Sequence, residues 1–439
     1  MLCRAILGMA ALLSFTVSTG CGGGGTAGGP TQPGSPAATP TPTADLGPPN
    51  IVLILADDLG WGDLGSYGNA KIRTPNLDRL ASEGARLTSF YVPAPICAPS
   101  RAGLMTGRWP VRTGIHWNPP VRLHDDEVVM AEVLRARGYA TGMVGKWHLG
   151  WVAEDMPVHH GFDFYYGIPA GEDESDFVSG DQPTKDGVSP DQLARRYTEE
   201  AVKFITANRA RPFFVYIAHR DPHLDNYPAP EFAGKSAAGA YGDVIEQLDW
   251  TVGELMKALK DLGVDRNTLV FFTSDNGPVI PPKGPGSAGP LYGGKGMCTE
   301  GGVRVPALVR WPARVPAGRV ISETASTLDL FPTFVAVSGA TLPSRQYDGA
   351  DISRLLAGEI SRLPGRGVDG GRETLFWDQD GAAGLRSGRW KYLRPGIWGH
   401  VPALYDLEAD PGETKDLSRD KPELMQQLSQ RLADILDGY

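Results

Sequence analysis

Apolar residues recur along this chain in two periods. Ile51–Leu55 is an unbroken apolar run rich in β-branched residues. It lacks the alternation of a half-exposed strand and therefore reads as a parallel strand covered on both faces, ending at Ala56, Asp57 and Asp58. From Glu127 to Arg137 apolar positions follow helical spacing and stop at Gly138. Tyr139–Val144 then reads as a strand that ends at Lys146, Trp147 and His148. The alternation repeats. A predicted helix over Asp191–Asn208 leads into a strand over Phe213–Ala218 that ends at His219 and His223. A longer one over Asp243–Leu262 leads into Leu269–Thr273, which ends at Asp275 and Asn276. Helix followed by strand, repeated, predicts an α/β fold with a large, doubly wound, mixed sheet flanked by helices.

Past about residue 345 the pattern changes. A short helix near Asp351–Ala357 precedes strand-like runs at Glu373–Trp377, Ala383–Leu385 and Arg389–Leu393. Leu424, Leu428, Leu432 and Ile435 then line one face of a terminal amphipathic helix from Pro422 to Ile435. The expected organisation is a large α/β domain over residues 50–345 and a smaller C-terminal α+β domain over 346–439, an antiparallel sheet plus a helix.

The amino terminus adds an address. Arg4, the apolar run Ala5–Val17 and the small residues Ser18–Gly20 read as an export signal over residues 1–20. Cys21 follows directly and precedes a glycine run, which resembles the lipobox of bacterial lipoproteins, with Ser18 standing where a larger aliphatic residue is usual. An ordinary secretory signal is the alternative. Residues 22–49, almost entirely Gly, Pro, Thr, Ala and Ser, have the composition of a flexible tether. The chain is thus expected to be exported, periplasmic or at the cell surface, and lipid-anchored at Cys21. No later stretch is apolar for long enough to span a bilayer. A net charge of -9 over 439 residues, without a basic run, argues against nucleic acid as a partner. Of four cysteines, Cys3 goes with the signal and Cys21 to lipid, which leaves Cys97 and Cys298 as a free pair or a single bridge.

Ligands of open α/β sheets bind beyond the carboxyl ends of the strands, where this topology gathers Asp57 and Asp58, Lys146 and His148, His219 and His223, and Asp275 and Asn276. Any one cluster alone could be a solvated strand end. Three carboxylates and an amide in one crevice repel unless a cation joins them, and oxygen ligands favour Ca²⁺ or Mg²⁺ over zinc. Cys97 precedes Pro99 by two positions and so is expected at a helix N-terminus, where free backbone N–H groups favour an anion and, generically, a low-pKa thiolate.

The segment Cys97-Ala-Pro-Ser-Arg101-Ala-Gly-Leu-Met-Thr-Gly-Arg108 resembles the signature of the type I, formylglycine-dependent sulfatases of the alkaline phosphatase superfamily. Ala56-Asp-Asp-Leu-Gly-Trp-Gly-Asp-Leu-Gly65, Gly145-Lys-Trp-His-Leu-Gly150 and Gly294–Pro306 with Lys295 extend the likeness over roughly residues 50–420. Arylsulfatase A and the N-acetylgalactosamine-6-sulfatases are similar. The resemblance implies that a formylglycine-generating enzyme converts Cys97 to 3-oxoalanine (formylglycine) before folding. It further implies that Asp57, Asp58, Asp275, Asn276 and residue 97 bind Ca²⁺, with Mg²⁺ the other choice, while Arg101 and Lys146 stabilise the modified residue. His148 would bond its hydroxyl, and His223 and Lys295 would hold the sulfate and assist the leaving group. His223 takes that role over His219 by its count from Phe213. The implied activity is hydrolysis of an aryl sulfate, another sulfated small molecule or a sulfated glycan. Phosphonate monoester or phosphodiester hydrolysis is the enzymatic alternative, and a non-catalytic glycan-binding surface lipoprotein the other. Gly171 falls near a pocket serine of arylsulfatase A, which leaves the leaving-group side of the site open to difference.

Overall fold

A computed structural model describes residues 46–118, 121–169, 177–183, 187–378, 381–394 and 402–437, without the side chains of 378 and 381–383. The signal, Cys21, most of the tether and Gly171 lie outside the described residues. The last tether residues are fixed to the base of the sheet. Asn267 Nδ2 donates to Leu46 O at 3.0 Å and Tyr139 Oη donates to Pro49 O at 2.8 Å.

Eleven strands form the main sheet. In chain order they are β1 (Asn50–Ala56), β2 (Ala85–Tyr91), β3 (Ala140–Lys146), β4 (Phe164–Ile168), β5 (Val178–Ser179), β6 (Gln182–Pro183), β7 (Phe213–Ala218), β8 (Thr268–Ser274), β9 (Arg304–Arg310), β10 (Arg319–Ile321) and β11 (Ala325–Ser326). In space the order is β10-β2-β9-β8-β1-β7-β3-β4-β5-β6, with β11 beside β2. The five central strands β8, β1, β7, β3 and β4 are mutually parallel, and β9 runs antiparallel to β8 and β2. The sheet is therefore mixed, and its parallel centre sends every strand's carboxyl end to one edge.

β1 shows why an unbroken apolar run was needed. Ile51, Leu53 and Leu55 pack into one core, and Val52, Ile54 and Ala56 into a second core on the opposite face. β7 divides in the same way, with Phe214, Tyr216 and Ala218 on one side and Phe213, Val215 and Ile217 on the other. Helices Leu193–Asn208 and Gly239–Asp261 cover the second core with Tyr197, Ala201, Ile205, Ile245, Leu248 and Val252. Helices Cys97–Thr106, Met130–Ala136 and Leu330–Ser338 cover the first. Burial of each such Leu, Ile or Phe contributes about 1.5–3 kcal/mol, so both layers of the sheet are anchored independently of the site.

A second sheet of four antiparallel strands follows: β12 (Glu373–Asp378), β13 (Gly381–Ser387), β14 (Trp390–Leu393) and β15 (Ala403–Asp406). Leu428 and Leu432 of the terminal helix Pro422–Asp437 pack on Leu375, Leu385 and Leu404 in a separate apolar cluster. The hydrophobic pattern had pointed to three of these strands; β15 follows the undescribed residues 395–401 and was not anticipated.

Candidate active site

The residues expected at the carboxyl edge of the main sheet meet there. β1 and β8 run in register, Ala56 opposite Ser274, which sets the Asp57–Asp58 turn beside the Asp275–Asn276 turn. Asp58 N donates to Asp275 Oδ1 at 3.2 Å, and Asn276 Nδ2 donates to Asp58 Oδ1 at 2.7 Å. Asp58 adopts φ 65°, a left-handed backbone that costs a non-glycine residue on the order of 1–3 kcal/mol and is typical of functional turns. Gly277 secures the turn: its N–H donates to Gly302 O at 2.9 Å, and a Cβ there would lie 1.9 Å from Gly301 O.

Cys97 is the first residue of the helix Cys97–Thr106 and is wholly buried. Its Sγ lies 3.5 Å from Asp57 Oδ1, and the ligand atoms of Asp57, Asp58 and Cys97 all fall within 4.8 Å of one another. The helix start receives a cap that sequence reasoning missed. Asn118 Oδ1 accepts from Ala98 N at 3.0 Å, across a separation of 20 residues that carries no local signal. No disulfide joins Cys97 to Cys298, so the single bridge is not formed. The low-pKa thiolate expected of a helix N-terminus is also absent, because burial, the dominant influence, pushes the Cys97 thiol up.

One turn along that helix, Arg101 is 1% exposed. Its Nε and Nη2 both donate to Asp275 Oδ2, at 3.0 and 2.8 Å, its Nη1 donates to Lys146 O at 2.9 Å, and Nη2 lies 3.4 Å from Asp57 Oδ2. Lys146, ending β3, places Nζ 2.6 Å from Asp57 Oδ2. That approach depends on Gly145, whose φ is 103° and whose Cβ, were there one, would sit 1.9 Å from Ala218 O of β7. Lys295 Nζ lies 2.9 Å from Asp58 Oδ2, and His223 Nε2 lies 3.6 Å from the same oxygen. Five of the six expected catalytic residues and the four oxygen-bearing residues thus join in one network of hydrogen bonds and ion pairs, to which His148 makes no hydrogen bond.

His148 is the informative exception. It has φ 59°, is 2% exposed, and both ring nitrogens are buried without a hydrogen-bond partner among the described residues. Burial, then the positive charges of Lys146 and Arg101, hold its pKa well below the usual imidazole value, so the neutral ring is the favoured form. His219 turns its ring to Tyr197, 6.2 Å away, and neither ring nitrogen has a hydrogen-bond partner among the described residues; burial brings it down to about 4.

Burial opposes ionisation of Asp57, yet Lys146 and then Arg101 hold its carboxyl well below the usual carboxylate range. Asp275 is pushed up to about 6, by burial first and then by the charge of Asp57. The pocket therefore sets a firmly ionised carboxylate beside one that resists ionising, which is what a shared cation would relieve. Asn276 Oδ1 is buried and accepts no hydrogen bond among the described residues, although such an atom costs about 1–3 kcal/mol if left unsatisfied. A hard divalent cation fits this donor set of carboxylates and one amide oxygen.

Comparison with known proteins bears on this geometry. The family model described as Sulfatase matches residues 49–340. Arylsulfatase A of Bos taurus is 41% identical over 440 residues, covering 85% of this chain and 84% of its own. N-acetylgalactosamine-6-sulfatase of Canis lupus familiaris is 35% identical over 460 residues, covering 89% and 86%. The crystal structure of the sulfatase PsFucS1 from Pseudoalteromonas sp. superimposes with a TM-score of 0.78 at 29% identity, covering 89% of this chain and 90% of that one. Sequence, fold and the reach of the match across both sheets agree, and the chain belongs to the sulfatase family, the sulfuric ester hydrolases.

Proposed function

We propose that this protein hydrolyses a sulfate ester, an aryl sulfate or a sulfated glycan, through a formylglycine made from Cys97 and one divalent cation, Ca²⁺ or Mg²⁺. The observation that carries the reading is the meeting of Cys97, Lys146, Arg101 and Lys295 on the Asp57–Asp58 pair, with Asn276 Oδ1 left unsatisfied beside them. A buried thiol held protonated is a poor nucleophile, so Cys97 left unmodified would serve this chemistry badly.

Asp57, Asp58, Asp275, Asn276 and residue 97 would hold the cation, which supplies Lewis-acid polarisation of sulfate oxygen and favours ionisation of a hydroxyl beside it. With residue 97 as formylglycine, its hydrate would provide one hydroxyl for attack on sulfur and a second through which sulfate could be released. The chain's own side chains do the remaining work. His223, close to Asp58, donates the proton that the departing alcohol oxygen takes. His148, whose ring nitrogens have no hydrogen-bond partner among the described residues, accepts the proton that frees sulfate. Lys146, Lys295 and Arg101 are fixed before substrate arrives and meet the negative charge gathering on the sulfuryl oxygens in a site that excludes water. Export and lipid attachment at Cys21 belong to the same proposal. Among the described residues no helix is long and apolar enough to cross a membrane.

The test pairs peptide mass spectrometry over Ala94–Arg101 with turnover of matched aryl sulfate and aryl phosphate esters. Conversion of Cys97 to the aldehyde and preference for the sulfate are expected. An unmodified cysteine in a preparation that still turns over sulfate esters removes the proposed nucleophile, and a preference for the phosphate removes the proposed reaction.

A further inference from the structure

The small sheet reaches the site through charged groups that the chemistry above does not use. Glu300 is fully buried. Its carboxylate accepts from Tyr91 Oη at 2.6 Å, Lys391 Nζ at 2.9 Å and Arg304 Nη1 at 3.2 Å, and its backbone N–H donates to Glu413 Oε2 at 2.6 Å. Lys391, on β14, is buried as completely, and its Nζ also lies 3.0 Å from Glu413 Oε1. Drawing an ammonium and two carboxylates out of water gains little stability over apolar residues of the same shape. Specific placement of something is the better account of such a cluster.

What it places is the loop before Glu300. There Lys295 N donates to Pro278 O at 2.8 Å and Gly296 N donates to Pro95 O at 2.9 Å. Two successive N–H groups thus join the loop to the turn that follows Asn276 and to the segment that enters Cys97. The small sheet grips that second segment as well, since Trp377 N donates to Pro93 O at 2.9 Å and Arg386 Nη1 donates to Ser89 Oγ at 2.9 Å and to Tyr91 Oη.

We infer that Lys391 and Glu413 are positioning residues, which act through Glu300 to set the loop that holds Lys295 against Asp58. The inference rests on the sulfatase reading for the role of Lys295. Removal of the ammonium as Lys391→Met keeps the stem beside Phe376 but leaves Glu300 and Glu413 facing each other without the cation between them. The loop then loses its fixed end, and a displacement of about 1 Å at a charged catalytic group can cost on the order of 100-fold in rate.

Two measurements on the full-length chain test this. Hydrogen exchange of Lys391→Met should quicken across residues 292–303 while amides of β1 and β8 stay protected as in the parent. In steady-state hydrolysis of an aryl sulfate, Lys391→Met should lower kcat/KM by about 10- to 100-fold in the parent. In a Lys295→Ala background it should lower kcat/KM by less than about threefold, because the group to be placed is gone. Equal losses in both backgrounds, or unchanged exchange over 292–303, would overturn the inference and leave a role in stability alone. Should Lys391→Met not fold, Glu413→Gln takes its place in both measurements, as it keeps an acceptor for Glu300 N–H and removes only the charge. A parent without sulfatase turnover despite a verified aldehyde would count against the sulfatase reading, whereas the exchange experiment needs no turnover and decides the positioning role separately.

Discussion

Replacement of Arg101 by methionine isolates the electrostatics of the site. Methionine fills much of the arginine stem, so the change is chiefly loss of the guanidinium. With it go two hydrogen bonds to Asp275 Oδ2, one to Lys146 O and the 3.4 Å ion pair with Asp57. Loss of one partner from a buried ion pair costs about 3–5 kcal/mol, because the remaining charge stays buried and uncompensated. The deficit has a predictable pH dependence. Burial and Asp57 already raise the Asp275 carboxyl from 3.8 to about 6, so its contribution to stability is full below 3.8 and is lost as pH rises through about 6. Without Arg101 that carboxyl rises further, and at pH 5 it is protonated and has no need of a cation. Urea unfolding of parent and Arg101→Met, both in chelator, should therefore differ by about 3–5 kcal/mol at pH 8 and by clearly less at pH 5. A difference below about 1 kcal/mol at pH 8, or one equal at both pH values, would refute the reasoning.

Other outcomes follow from the same geometry. Asn276→Ala should abolish the thermal stabilisation that Ca²⁺ gives a chelated parent, expected to reach about 2.7 kcal/mol at a hundredfold excess over Kd; a parent unresponsive to both Ca²⁺ and Mg²⁺ argues against the cation site. His148→Ala should lower kcat by about 10²- to 10⁴-fold with aldehyde content unchanged by mass spectrometry, and a loss under tenfold would remove His148 as the base. Gly145→Ala, which sets a methyl 1.9 Å from Ala218 O in a left-handed backbone, should cost about 3 kcal/mol or more, read as a fall in the urea midpoint. A near-native midpoint would mean that β3 and β7 can part without consequence.

The central strands were legible because β1, β7 and β8 are covered on both faces, which forces an unbroken apolar run that few other structures need. β2 and β9 were not. Arg86, Thr88 and Ser89 interrupt the first, while Arg304, Pro306 and Arg310 break up the second, although β9 runs antiparallel to both its neighbours and so helps make the sheet mixed. Helix Leu330–Ser338 escaped notice because it is apolar nearly all round and carries Pro332 in its first turn. Cys97, Arg101 and Lys295, on a helix and a loop, were legible only through the sulfatase-like segments. Asp57, Asp58, His148, His223, Asp275 and Asn276 could be read because each follows a strand of the parallel centre, and such strand ends must share an edge. Lys391 and Glu300 could not, since a lysine in an alternating strand reads as solvent-facing until its burial and its partners are known.

The parallel register of β1 with β8 has a consequence for synthesis. Arg101 and its carboxylate partner Asp275 are 174 positions apart in sequence, so at 5–20 residues per second roughly 9 to 35 s pass between their emergence from the ribosome. Throughout that interval the segment that will hold Cys97 has no lid, because the strand that completes its surroundings does not yet exist. The nascent chain itself would keep the thiol open to a maturation enzyme of the kind proposed above, and arrival of β8 would close that window.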